Sequence, residues 1–296
     1  MRRLVLLAVF LIAAAMPGAL AQSLPQFDGA RALAYTRQYV AVGPRWIGSP
    51  GHAKAEAFLK DQFRHDQLEE DTFTTDTPAG SMTMHNFIVR FPGKTDGVIV
   101  LATHYETNYP LRNIHYIGAN DGGSTTGLLI EMANYLRGKT LDGYSVWLLF
   151  TDGEEAIKSW SDTDSVYGSR HLAVKWQADG TLKRIKAFLL ADMLGDRDLD
   201  VQRDLNSTPW LEDLVYQAAT EYGWQSYFFE NKTSDEDDHL PFVHRGVPCA
   251  DLIDLNYGYQ NSYWHTAQDT MDKLSAKSLT IVGDTLLETI RLLNQR

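Results

Sequence analysis

Asp152, Glu154 and Glu155 crowd the stretch "FTDGEEAIKSW" (residues 150–160), directly behind "GYSVWLLF", an apolar run of buried-strand type. Like charges placed together repel and resist desolvation, so the cluster needs free water or a counter-charge such as a metal ion. Other strand ends supply matching groups. His104 follows "GVIVLAT", Asp192 follows "AFLLA", Asp121 lies in "GANDGGST" and His265 in "SYWHT". Two histidines and several carboxylates gathered where strands end offer the nitrogen and oxygen donors that zinc takes in open catalytic sites. In an adjacent pair such as Glu154 and Glu155, one side chain can ligate while the other, turned the opposite way, stays free to carry a proton.

Taken singly, an acid at a strand end is more often a helix cap or a solvated loop charge, and a lone histidine a surface or core residue. Recurrence at successive strand ends is the feature that points to a metal site. His115, His171, His239 and His244 lack that setting and are expected to be structural. Trp160 and Trp264 lie a few positions from the metal and proton-transfer candidates, in polar sequence rather than apolar runs, which favours pocket walls.

The elements that must position these groups are visible as periodicity. Residues 29–41 and 51–65 carry apolar positions at helical spacing, with Ser49-Pro50 where a cap and first-turn proline belong. Apolar runs of strand length ("HNFIVRF", "GVIVLATHY", "YSVWLLFTD", "IKAFLLADM", "VPCADLIDL") then alternate with helical stretches near 124–137, 165–176, 209–222 and 276–294. That alternation predicts an α/β sandwich around a largely parallel sheet. Segment 255–275 is long, polar, aromatic and without clear periodicity, the character of a functional loop.

With 44% hydrophobic and 22% charged residues, the chain has globular composition. The start, "MRRLVLLAVFLIAAAMPGALAQS", predicts a signal peptide over residues 1–21, cut before Gln22, and residues 22–296 are expected to form one catalytic domain, exported to the periplasm or secreted. Without Arg2 and Arg3, the 27 basic residues fall to 25 against 38 acidic, a net charge of −13. Nucleic acid and, after signal removal, membrane are therefore not expected partners. Cys249 is the single cysteine, which excludes an internal disulfide.

"GANDGGST", "TDGEEAIKSWSDTDSVYGSRHLA", "LLADMLG", "DDHLPFVHRGVP" and "YWHT" resemble the motifs of the animal-type glutaminyl-peptide cyclotransferases, or glutaminyl cyclases, which are related to zinc aminopeptidases. The resemblance runs from about residue 35 to the C-terminus, and its most specific part is the insertion "IKSWSDTDS", a gap that the aminopeptidases close with a short turn. It implies an α/β, three-layer sandwich with a mixed, mainly parallel central sheet flanked by helices, and a single zinc per chain. It further implies Asp121, Glu155 and His265 as zinc ligands, Glu154 as the proton-transfer residue with Asp192 as its hydrogen-bonding partner, and Trp160, Trp264 and Asp237 at the substrate pocket. The reaction implied turns the N-terminal glutamine of a peptide or protein into pyroglutamate and releases ammonia. The α-amine attacks the chain's own γ-carbonyl, so the protein needs no nucleophile.

Several positions depart from that pattern. Thr103 and Thr126 stand where the animal enzymes carry a bridging cysteine pair, Glu106 stands where an aspartate is usual, and Asp251 where a histidine is expected near the pocket. The loop before "WHT" is longer by a few residues, which leaves Tyr257 and Tyr259 as candidates for the pocket's aromatic lining. Two other readings stay open. A two-zinc aminopeptidase would use His104 and Asp192 to complete a second metal site, and an exported binding domain would keep the fold without turnover.

Overall fold

In the computed structural model, which describes residues 24–296, the apolar runs form the middle of one eight-stranded sheet. The expected signal peptide and Gln22 lie outside the described residues. The strands are β1 (Gln67–Thr77), β2 (Gly80–Phe91), β3 (Gly93–His104), β4 (Leu141–Thr151), β5 (Ile185–Asp192), β6 (Val201–Asp204), β7 (Phe228–Thr233) and β8 (Cys249–Ile253), in the order β1-β2-β4-β3-β5-β8-β6-β7. Strands β4, β3, β5 and β8 run parallel as neighbours, and β6 is parallel to β7. The β1/β2, β2/β4 and β6/β8 pairs are antiparallel. The sheet is thus mixed and mainly parallel. Its central strands are apolar on both faces because both faces are covered, which is why they appear as continuous runs in the sequence.

The helices are α1 (Gly29–Val40), α2 (Pro50–Gln62), α3 (Gly123–Leu136), α4 (Tyr167–Ala178), α5 (Pro209–Glu221), α6 (Leu240–Val243) and α7 (Ala276–Leu293). Side chains of α1, α2, α3, α5 and α7 pack with Phe87, Leu101, Leu148 and Leu189 on one face of the sheet. Leu172 and Trp176 of α4 and Phe242 of α6 cover Val100, Leu149 and Phe188 on the other. The result is the expected three-layer α/β sandwich. Ser49 caps α2 as its sequence suggests, accepting the His52 N–H at 2.9 Å.

Strands β1, β6 and β7 and the short α6 have no counterpart in the sequence periodicity. "QLEEDTFTTDT" buries only Asp71 and Phe73, because β1 is an edge strand paired only with β2, so no apolar run marks it. Where the family resemblance places a cysteine pair, Thr103 Oγ1 lies 2.7 Å from Thr125 Oγ1 and joins β3 to α3 by a hydrogen bond. Thr126 instead donates to the Gly122 carbonyl.

The functional consequence of the topology is alignment. Because β4, β3, β5 and β8 are adjacent and parallel, the segments leaving their C-terminal ends emerge at one edge of the sheet. His104 ends β3, the Glu154/Glu155 pair follows β4, Asp192 ends β5, and the loop after β8 carries His265.

Candidate active site

Three side chains from three separate segments converge at that edge. His265 Nε2 lies 3.1 Å from Glu155 Oε1 and 3.3 Å from Asp121 Oδ2. Four ligands held tetrahedrally at zinc's ordinary bond lengths stand about 3.3 Å apart, so the donor set and its spacing fit that ion. The supporting bonds fix the carboxylates from behind. Asn108 Nδ2 donates to Glu155 Oε2 at 2.6 Å, the Tyr116 hydroxyl donates to Asp121 Oδ2, and the Trp264 ring stacks on His265 with centroids 4.0 Å apart. Burial opposes a charge on His265, but Glu155 and then Asp121 outweigh it and raise the imidazole to about 10. An electron-rich site of this kind attracts a cation. His265 also has a φ of 53°, a backbone conformation that L-residues adopt at a cost and that recurs at ligand clamps.

A second group shares Asp121. His104 Nε2 lies 3.0 Å from Asp121 Oδ1 and 3.2 Å from Asp192 Oδ1, with all three residues buried. These separations also suit a metal, so ligand geometry by itself admits one ion or two. Glu154 lies beyond this group and lines a cavity of about 670 Å³ together with Asp121, Glu155, Asp192, Asp237, Trp160, Trp264 and His265. Its carboxylate accepts no side-chain or backbone hydrogen bond among the described residues, and its closest basic neighbour is His104 Nδ1 at 3.9 Å. Burial, then the adjacent Asp237 carboxyl, push Glu154 well above the usual carboxylate range. Asp237 rises for the same primary reason, with Asp192 the next contributor. The buried acids thus disfavour full ionisation together.

Local backbone organisation explains why these groups sit where they do. Gly122 has φ +67°, and a Cβ there would stand 2.8 Å from His104 Cε1 and 2.9 Å from the Glu106 carbonyl. The glycine in "GANDGGST" therefore lets the Asp121 turn close onto β3. Asp269 accepts the backbone N–H of both Asn120 and Asp121, and the Tyr257 hydroxyl holds Asp269 in turn. The wholly buried Arg45 spends its guanidinium on carbonyls of the loop before α3, bonding those of Tyr105, Ile117, Gly118 and Asp121. In the insertion, Asp164 accepts three successive backbone N–H groups, from Ile157, Lys158 and Ser159, and so sets the turn that carries Trp160.

The model of peptidase family M28 matches residues 86–290. A glutaminyl-peptide cyclotransferase from Boiga irregularis is 30% identical over 82% of this chain and 75% of its own length. The crystal structure of an Acidobacteriales bacterium glutaminyl cyclase is 61% identical, covers 95% of this chain and 100% of its own, and superposes with a TM-score of 0.92. The chain belongs to the glutaminyl-peptide cyclotransferases of peptidase family M28. The Porphyromonas gingivalis glutaminyl cyclase, 28% identical over 91% of this chain and 98% of its own, has the same fold with a TM-score of 0.80.

Within this cyclotransferase, all eight side chains expected at the site line one cavity. Three details differ from expectation. Asp192 contacts His104 rather than Glu154, because the buried imidazole is the basic group within its reach. Tyr257 sits behind the site on Asp269 and Tyr259 is 83% exposed, so Leu255 and Asn261 take the lining positions proposed for them. Asp251 forms no bond to Asp237. Both of its carboxyl oxygens lack a hydrogen-bond partner, and the nearest basic atom is His239 Nδ1 at 3.8 Å. His239 itself is fully buried between Asp251 and Asp204. Asn108, Tyr116, Asp269 and Arg45 escape sequence reasoning, since only the fold brings them to the ligands. The polar stretch 106–121 was a signal for Asn108 and Tyr116, and the loop character of 255–275 one for Asp269; Arg45 had none.

Proposed function

We propose that this cyclotransferase converts the N-terminal glutamine of peptides and proteins to pyroglutamate, with one zinc per chain held by Asp121, Glu155 and His265. The single observation that carries the metal assignment is the 3.1–3.3 Å spacing of His265 Nε2 from the two carboxylates. Bound there, zinc supplies a Lewis acid that polarises the substrate's γ-carbonyl. Glu154, facing the cavity with no bond of its own, takes a proton from the α-amine as the amine nitrogen attacks the γ-carbon. It returns that proton to the γ-nitrogen as the carbon–nitrogen bond breaks and ammonia leaves. The raised carboxyl suits both halves of this exchange. Asp237 beside it modulates that acidity, and Asp192 orients His104 against Asp121. Trp160 and Trp264 wall the cavity and exclude water around the folded glutamine. Residues 22–296 form the zinc-dependent catalytic domain, and residues 1–21 direct export to the periplasm or medium. No helix among the described residues is long and apolar enough to cross a membrane.

The His104–Asp121–Asp192 group favours a second reading, a two-zinc aminopeptidase of the same fold. Metal reconstitution separates the two. Chelated protein titrated with zinc should regain full cyclising activity at about one equivalent and bind no second ion tightly. Activity that requires two equivalents, together with release of a free amino acid, supports the aminopeptidase.

A further inference from the structure

Glu236 precedes Asp237 in the chain and takes the opposite environment. Asp237 is buried at the cavity floor, whereas Glu236 is exposed at its mouth. The Glu236 side chain reaches the other rim, where its Oε2 accepts the Trp160 indole N–H at 3.1 Å. Among the described residues, its Oε1 takes no hydrogen bond and no lysine, arginine or histidine lies within ion-pair distance of it. A surface acid is ordinarily a solvated charge. This one is held in place by a wall of the cavity, at the N–H edge of the exposed Trp160 indole. A fixed carboxylate at the edge of an exposed indole is a seat for a cation, since the carboxylate and the ring face within a side chain's reach of it both attract one.

The direction of the substrate follows from the assignment above, on which this inference rests. An α-amine placed against Glu154 and Asp237 puts the α-carbonyl, and the residue that follows it, on the outward path from Asp237 to Glu236. We propose that Glu236 is a specificity-determining residue that selects peptides with lysine or arginine immediately after the N-terminal glutamine. Half-buried Asp235 and buried Asp237 share the lining but together disfavour full ionisation, so the preference rests on Glu236. Lys158 opposes it from the same lining, but stands beyond ion-pair distance of Glu236.

The test uses zinc-loaded protein and three tripeptide amides that differ only at the second residue: lysine, alanine or glutamate. Ammonia release gives kcat and KM for each. Wild type should favour the lysine peptide over the glutamate peptide by about 3- to 10-fold in kcat/KM, mostly through KM, with the ratio shrinking as salt rises. Glu236→Gln should shrink that ratio, and Glu236→Lys should invert it. Ratios within one protein cancel any loss of folded material, and zinc content checks the site. Equal kcat/KM for the three peptides in wild type, or a ratio unchanged in Glu236→Gln, overturns the proposal alone. Absence of ammonia from all three peptides overturns the assignment of the site, and the proposal with it.

Discussion

Glu154 and Glu155 are neighbours in the chain with different surroundings, and the division of labour between them rests on that difference. Glu155 is bonded by Asn108 and faces His265, while Glu154 opens on the cavity. Glu154→Gln keeps the shape and removes the proton carrier, so turnover should fall by roughly 10² to 10⁴ with zinc content unchanged. Glu155→Gln should instead weaken zinc itself, by about 10-fold or more in a competition titration. An exchange of these two phenotypes would reverse the assignment. Arg45 yields a prediction of another kind. Replacing it with methionine strands three buried carbonyls and one half-buried carbonyl around the Asp121 loop, which should cost on the order of 3 kcal/mol in denaturant unfolding and lower zinc affinity. The candidate ligands were legible because metal chemistry restricts such donors to a few residue types. Arg45 was not, because an arginine in "GPRWIG" carries no mark of the carbonyls it will meet 60 or more positions later.

Among the elements, those buried on both faces announced themselves and those at the edges did not. The runs that became β3, β4, β5 and β8 were readable from apolar content. Polar β1 and the four-residue β6 were not, since an edge or a short strand need not repeat a pattern. Three successive backbone N–H groups of the insertion after β4 are held by one side chain, so Asp164→Ala should loosen the turn bearing Trp160 and raise KM more than it lowers kcat. Helix α2 is tied to the end of β4 through His52, whose Nε2 lies 2.9 Å from Asp152 Oδ1 and whose Nδ1 lies 3.3 Å from Glu56 Oε1. Burial opposes the charge, but Asp152 and then Glu56 outweigh it and raise His52 to about 9. A folded-state value above the unfolded one of about 6.5 stabilises fully below that lower value and is lost as pH rises through the upper one. Thermal stability should therefore decline between pH 7 and pH 10 more steeply in wild type than in His52→Gln. Parallel slopes would remove His52 as the cause.

For the whole molecule, one sheet edge gathers groups separated by more than 150 positions, in a chain of net acidic charge. Cleavage after Ala21 would expose Gln22, a substrate for the proposed chemistry, a few residues before Pro25, whose carbonyl accepts the Tyr222 hydroxyl. The exported protein is expected to carry pyroglutamate at position 22, with far more free glutamine in promptly analysed Glu154→Gln. Equal modification of both would assign the change to spontaneous cyclisation. The most direct test of the account is the mass of a glutamine-initiated peptide after incubation with the zinc-loaded protein. The expected product is lighter by one ammonia, with every residue retained. A peptide shortened by its first residue, with free glutamine released, would contradict it.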